Sequence, residues 1–339
     1  MNEYSNRTAV LLVNVGTPDE PTISSVRRYL YSFLNDRRVI DLPLILHKLL
    51  VNLIIVPFRA PKSVRLYKLL WTPEGSPLKV FSEKSRQALQ EVLGAEYTVF
   101  MAMRYANPSL KQVLHQIRDG RFSRLVVLPL FPQYASSTTG TAAGYVLREL
   151  SRWTVIPEVR LVGPFYDHPL FLEAFTERIR SYNPLQWDHL IFSYHGLPLR
   201  QLRHVHPGVS AAGCSCSRTM PAQGRFCYRA ACYETSRQLA SRLGMKEDQY
   251  SVAFQSRLNK DWLEPFTDAV LIRKAREGCR RILVAAPAFV ADCLETTVEI
   301  GMEYQKLFEG HGGEKIQLVE SLNAHPLWIK TQEKLILNA

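Results

Sequence analysis

No run of about twenty uninterrupted apolar residues occurs, which argues against a membrane-spanning helix. The most apolar stretch, 42–58 (LPLILHKLLVNLIIVPF), is broken by Pro43, His47, Lys48, Asn52 and Pro57. The first apolar run, in MNEYSNRTAVLLVNVG, has no basic leader, so a secretory signal is not expected. Cysteine is scarce, 6 in 339 residues, which excludes a disulfide scaffold. The thiols are then read first as free thiols or metal ligands. There is no low-complexity tract and no repeat at a solenoid period. No basic run carries interleaved aromatics, which makes nucleic acid the weakest class of partner. The G-x-G-x-x-G, Walker A, G-x-S-x-G and H-E-x-x-H patterns are all missing. That counts against a dinucleotide dehydrogenase, a P-loop NTPase, a serine hydrolase and a zincin, and no nucleotide cofactor is expected.

The residues present are those of a globular protein, 46% hydrophobic and 22% charged. A length of 339 allows one large domain or two of ordinary size. Lys and Arg outnumber Asp and Glu by 42 to 31, a net charge of +11 that favours anionic partners. Short apolar runs at 9–13, 97–103, 125–130, 159–162, 190–194, 250–254, 281–286 and 316–319 read as strands. Their continuous hydrophobicity suits strands buried on both faces of a parallel sheet. Segments such as 82–93, 108–118 and 230–243 carry helical periodicity between them. The alternation predicts an α/β protein with two similar doubly wound domains, 1–165 and 166–339. Each would hold a four-stranded parallel sheet flanked by helices, with a ligand cleft between the domains.

Ligands in such folds bind beyond the carboxyl ends of strands, so polar residues there are the candidates. His195 follows LIFSY and precedes Gly196. A strand-end histidine is often structural, but its ordinary pKa also suits proton acceptance. Asp292, Glu295 and Glu299 follow the strand at 281–286 at spacings i, i+3 and i+7. On an α-helix those spacings share one face. The plain reading is a solvated acidic face. The apolar surroundings, AAPAFVADCLETTVEI, favour a half-buried ladder able to pass protons or hold a hard divalent cation. The stretch 42–58 reads either as a core helix or as an exposed apolar lip meeting a membrane or hydrophobic ligand.

Several long, ordered motifs carry a resemblance: LLVNVGTPDEPT, YLYSFLNDRRVID, GSPL, MRYANPS, VLPLFPQYASSTTG, SYHGLP, FQSRLNKDWLEPFTD and APAFVADCLETTVEI. Together they resemble ferrochelatase from residue 10 to about residue 323. The resemblance implies insertion of Fe²⁺ into protoporphyrin IX to form protohaem, with two protons released. It implies that His195 is the active-site histidine, that Glu295 faces it, and that Asp292 and Glu299 accompany Glu295 on a helix often widened to a π-type turn. His195 and Glu295 would meet the Fe²⁺ substrate. Arg104 and Tyr105 would line the porphyrin pocket, with Trp262, Ser256 and Arg257 near the porphyrin edge. The segment 42–58 then falls where the family carries its lip. Coproporphyrin or another tetrapyrrole is the alternative substrate. A non-catalytic tetrapyrrole-binding or iron–sulfur sensor protein is the alternative of another class.

Four cysteines, Cys214, Cys216, Cys227 and Cys232, crowd a segment at 204–232 that looks like an insert. Their spacing, C-x-C-x₁₀-C-x₄-C, is not that of a zinc ribbon. Four thiolates there can hold an iron–sulfur cluster or structural zinc. The resemblance extends to bacterial ferrochelatases with a [2Fe–2S] cluster in an internal segment, which makes the cluster the preferred reading, zinc the alternative and free thiols the last. The family also implies a cytoplasmic protein, a monomer or homodimer, with peripheral contact to the inner membrane.

Overall fold

The sequence folds into eight parallel strands in two sheets, described by a computed structural model for residues 5–203, 205, 213–222 and 224–339. The insert expected at 204–232 therefore lies partly outside the described residues. The first sheet holds β1 (Ser5–Asn14), β2 (Tyr97–Met103), β3 (Phe122–Pro129) and β4 (Glu158–Leu161), in the order β2-β1-β3-β4. The second holds β5 (His189–His195), β6 (Tyr250–Gln255), β7 (Arg281–Ala285) and β8 (Lys315–Leu318), in the order β6-β5-β7-β8. The two orders are the same: in each half the first strand is central, so the expected pair of similar doubly wound sheets is present.

The central strands are the most apolar, as burial on two faces requires. Leu11 of β1 lies between Phe100 and Val127, and Ile191 of β5 between Ser251 and Val284. Leu11, Val13 and Val127 pack with Leu114, Ile117 and Val146 from flanking helices. Ile191 and Val284 pack with Leu271, Ile300 and Phe308. β4, at a sheet edge, is largely exposed, and its sequence, Glu-Val-Arg-Leu, alternates accordingly.

The chain divides into two compact units. The first comprises Met1–Phe131, Ala135–Gly163 and Ile329–Ala339, the second Pro132–Tyr134 and Pro164–Trp328. A division in chain order at 165/166 does not provide for the return of the last helix, Pro326–Leu337, to the first unit. Gln332 Nε2 donates to Ser85 Oγ at 2.8 Å there.

The apolar stretch is one helical run, Leu44–Leu70, with a π-helical turn at Leu50–Ile55. By length and composition it is apolar enough to cross a membrane. One side packs on the helix Ile23–Leu34. His47 is buried with Nε2 at 2.7 Å from the Leu34 carbonyl, and Tyr67 meets Tyr29 edge-on. The other side presents Ile45 (77% exposed), Leu53 (65%) and Phe58 (76%). A core helix would bury these residues, so the exposed-lip reading fits the packing.

Candidate active site

In the second unit the candidate residues gather at the carboxyl ends of β5, β6 and β7. His195 is the last residue of β5, and the chain turns at once through Gly196. A Cβ at Gly196 would sit 2.9 Å from the Gln255 carbonyl oxygen and 3.2 Å from Trp262 Cε3, so only glycine lets the turn close this tightly. The imidazole lies half-buried beside Trp262, ring centroids 6.4 Å apart. Its Nδ1 is 2.7 Å from the Gly196 carbonyl oxygen. A carbonyl can only accept, so Nδ1 carries the hydrogen and Nε2 is the basic nitrogen of the neutral ring. Tyr228 donates its hydroxyl to the His195 carbonyl at 2.9 Å and fixes the backbone below.

Gln255 is the structural link beneath this site. It is 1% exposed, accepts from Ser193 Oγ, and donates from Nε2 to the Glu295 carbonyl at 3.0 Å. The ends of β5 and β6 are thereby tied to the helix that carries the glutamates.

That helix is π-helical from Glu295 to Tyr304. The wider coil alters the side-chain stacking inferred from α-helical spacing, and π segments recur at functional sites. Glu299 is half-buried and holds three donors: the Ser256 amide at 2.8 Å, the Ser256 hydroxyl, and the Tyr304 hydroxyl at 2.8 Å. Burial pushes its carboxyl above the ordinary range. The Ser256 and Tyr304 bonds oppose that, the Glu295 charge adds to it, and His195 pulls the other way. Glu299, Glu295 and His195 are therefore electrostatic neighbours. Ser256 takes φ +61° to bring both its donors onto this carboxylate.

Asp292 departs from the expected acidic ladder. It precedes the helix, and its carboxylate accepts from Asn323 Nδ2 at 2.7 Å, the Ser321 amide at 3.2 Å and Thr296 Oγ1 at 3.2 Å. Its amide donates back to Asn323 Oδ1 at 2.9 Å. These bonds pin the start of the π-helix to the segment after β8, a role the i, i+3, i+7 spacing does not show. Arg257 is also engaged: its guanidinium meets Asp268 at 2.6 Å and lies 4.0 Å from the Phe266 ring centroid.

In the first unit Arg104 and Tyr105 follow β2, and both turn their polar ends to Asp36. Arg104 reaches Asp36 Oδ2 at 2.7 Å and Thr141 Oγ1 at 3.0 Å, and the Tyr105 hydroxyl donates to the same Asp36 oxygen at 2.9 Å. Burial alone would raise the Asp36 carboxyl. The bonds from Thr141 and the Arg38 amide, with the Arg104 charge, outweigh it and hold the group below its usual range. Burial drives the Tyr105 hydroxyl well upward, and Asp36 adds to that. Asp36 and Thr141 escaped the sequence reading, although Asp36 lies inside YLYSFLNDRRVID.

The four clustered cysteines are free thiols, with Cys216, Cys227 and Cys232 buried. Burial pushes Cys216 up to about 12, Arg229 opposes, and Cys214 and Cys227 add to the rise. Burial also raises Cys232 far above the ordinary thiol range, with Cys227 and Cys216 contributing. The sulfurs are thus near enough to affect one another, and a set of four thiols is by donor type one that suits iron–sulfur or zinc. Among the described residues, no group of three or more His, Cys, Asp or Glu is arranged to hold a metal ion. Cys293, before the π-helix, is buried and packs as a small apolar residue.

Comparison with known proteins decides the family. The Ferrochelatase family profile matches residues 7–339. The chain belongs to the ferrochelatase family. A ferrochelatase of Coxiella burnetii (strain Dugway 5J108-111) is 42% identical over 337 residues, 98% of this chain and 93% of that one. A ferrochelatase of Legionella pneumophila (strain Lens) is 40% identical over 336 residues, 97% of this chain and 98% of that one. SirB from Bacillus subtilis with Fe³⁺ is similar in fold at a TM-score of 0.54 and 12% identity, over 98% of this chain and 96% of that one. A multi-domain Deinococcus radiodurans protein with structural similarity to chelatases gives a TM-score of 0.52 at 13% identity, over 98% of this chain and 55% of that one. As a ferrochelatase-family enzyme, the chain metallates porphyrin with Fe²⁺ in haem synthesis.

Proposed function

We propose that this ferrochelatase acts on protoporphyrin IX, with His195 as the proton acceptor and Glu295 and Glu299 as its acidic partners. The observation that carries the reading is the meeting of a histidine whose Nε2 is basic with a half-buried carboxylate whose proton affinity is raised. Two pyrrole N–H protons must leave as Fe²⁺ enters, and no electron changes hands. Nε2 of His195 takes a proton, and Glu299 provides a carboxylate that accepts one more readily than an exposed glutamate would. Fe²⁺ must be held weakly enough to be released, and the imidazole and Glu295 carboxylate are ligands of that kind. A flat macrocycle must be held bent for its lone pairs to meet the metal, and the rigid base under His195, tied by Gln255 and Tyr228, suits a site that resists as the ring bends.

The protoporphyrin preference rests on the apolar lip and on the Pro132-Gln133-Tyr134 segment, in which Gln133 donates to Thr235 Oγ1 at 3.1 Å and Tyr134 packs edge-on against Phe226. The exposed Ile45, Leu53 and Phe58, with Lys48, Arg59 and Lys62 nearby in sequence, support peripheral contact with an anionic membrane by a cytoplasmic enzyme. The mutual influence of Cys214, Cys216, Cys227 and Cys232 supports a thiolate-held centre, read as [2Fe–2S]. Such a cluster would order the segment and is not needed in a redox-neutral insertion. An anaerobic assay comparing protoporphyrin with coproporphyrin tests the substrate. Faster Fe²⁺ insertion into protoporphyrin is expected, and faster turnover of coproporphyrin overturns that assignment.

A further inference from the structure

The helix Tyr228–Arg242 carries Cys232 and has Cys227 as its N-cap. Two hydrogen-bonded links fasten it to the last two residues of β5. The Tyr228 hydroxyl donates to the His195 carbonyl at 2.9 Å. Ser236 gives its hydrogen to the Cys232 carbonyl at 2.9 Å, so the Tyr194 hydroxyl is the donor to Ser236 Oγ at 2.8 Å. Tyr194, Tyr228, Cys232 and Ser236 are all buried, where an unmade hydrogen bond is costly. Two of the four clustered thiols thus belong to the element that holds the strand of the active-site histidine.

The peptide between His195 and Gly196 is held at both ends. Its carbonyl takes the Tyr228 hydrogen, and its N–H donates to the Gln255 carbonyl at 2.8 Å. The next carbonyl, that of Gly196, holds the hydrogen on His195 Nδ1. A turn of that peptide therefore moves the Gly196 carbonyl and, with it, the imidazole. Tyr228 also has a second neighbour able to take its hydrogen. Cys232 stands four residues on, on the same face of the helix, and its sulfur shares a hydrogen bond with the Tyr228 hydroxyl. A phenol has one hydrogen to give. A Cys232 thiol donates its own hydrogen to the phenol oxygen, which leaves the Tyr228 hydrogen on the His195 carbonyl. A Cys232 thiolate has no hydrogen and is a charged, stronger acceptor, so it competes with that carbonyl.

Resting on the thiolate-held centre proposed above, we propose that Tyr228 is a positioning residue that couples the Cys232 sulfur to His195. The ligand that acts through it is a thiophilic metal centre on the cysteines, which regulates porphyrin metallation without taking part in it. With the thiols free, the His195–Gly196 peptide is pinned at both ends. With Cys232 a metal-bound thiolate, the Tyr228 hydrogen turns to sulfur and one end of that peptide is released. Ser236 and Tyr194 keep helix and strand together in both states, which confines the change to the His195 peptide.

The test compares anaerobically purified protein with the same protein stripped by a chelator, both without added Fe²⁺ and both assayed for metal. Carbethoxylation of His195 by diethyl pyrocarbonate, followed by peptide mass spectrometry, reads the state of the imidazole without turnover. The rate should differ about two- to tenfold between the two samples, the factor one hydrogen bond carries. In Tyr228→Phe, which keeps the ring and lacks the hydrogen, the two rates should be equal, and in Ser236→Ala the difference should remain. The kcat for insertion should change with metal loading while the KM for porphyrin does not. Equal rates in loaded and stripped wild-type protein, a comparison that needs no variant, overturn the coupling alone, as does an undiminished difference in Tyr228→Phe. Purified protein with no metal on the cysteines overturns the thiolate-held centre and the coupling with it.

Discussion

The hydrogen on Nδ1 of His195 faces the Gly196 carbonyl, and that one bond leaves Nε2 to accept a proton. Glu299 differs from an exposed glutamate because burial raises its proton affinity while Ser256 and Tyr304 hold it in place. A second histidine has the opposite character. His189 is buried at the start of β5 with Nε2 2.8 Å from Ser251 Oγ, and its pKa falls from the ordinary 6.5 to about 4 through burial, with Lys274 adding to the drop. A base whose folded pKa is depressed contributes stability above its unfolded pKa and loses it as pH falls through the folded value. The fold should therefore weaken by about 3 kcal/mol between pH 6.5 and 4 on account of His189. Urea midpoints across that window check it: His189→Gln should flatten the dependence, and an unchanged slope contradicts the assignment. His195, Glu295 and Glu299 stood out as candidates by their strand-end and apolar settings, their roles were implied only by the family resemblance, and the structure makes the three electrostatic neighbours. Asp292 was misread because its partners, Asn323 and Ser321, are about thirty residues away. Ser256 was named, but its left-handed turn onto Glu299 and the Tyr304 bond are tertiary facts with no local signature.

At the scale of elements, all eight strands were legible from continuous apolar runs, with ends shifted by a few residues. The π-helical coil at Glu295–Tyr304 follows no residue pattern visible from spacing and was implied only by the family resemblance. The helical run Leu44–Leu70 shows why the apolar segment was ambiguous. It buries His47, Val51 and Val56 while leaving Leu44, Ile45, Leu53, Ile54 and Phe58 outside, so a stretch apolar all round serves two surfaces. Replacing Leu53, Ile54 and Phe58 with Ser should lower co-sedimentation with anionic vesicles while the melting temperature changes little, because these side chains are already in water. Unchanged sedimentation, or a collapse in stability, contradicts a membrane-facing lip.

For the whole molecule, the pair of four-stranded parallel sheets was legible from the repeated alternation of apolar run and amphipathic helix, whereas the strand order that recurs in both sheets was not. The return of Ile329–Ala339 to the first unit was not legible, because a terminal helix gives no sign of which core it joins. The cysteine segment bears on the whole molecule too. Anaerobically purified protein should be reddish-brown, with iron and acid-labile sulfide in near-equal amounts. Cys216→Ser should remove the colour, and Cys279→Ser should not. Colourless protein with one zinc and no sulfide contradicts the cluster and leaves the chelatase site untouched. The most direct test of the central claim is anaerobic stopped-flow of Fe²⁺ insertion by His195→Ala, with porphyrin binding followed by absorbance in parallel. The account predicts a loss of about 10²–10⁴-fold in insertion with porphyrin binding retained, and a loss below about tenfold would contradict the role of His195 as the proton acceptor.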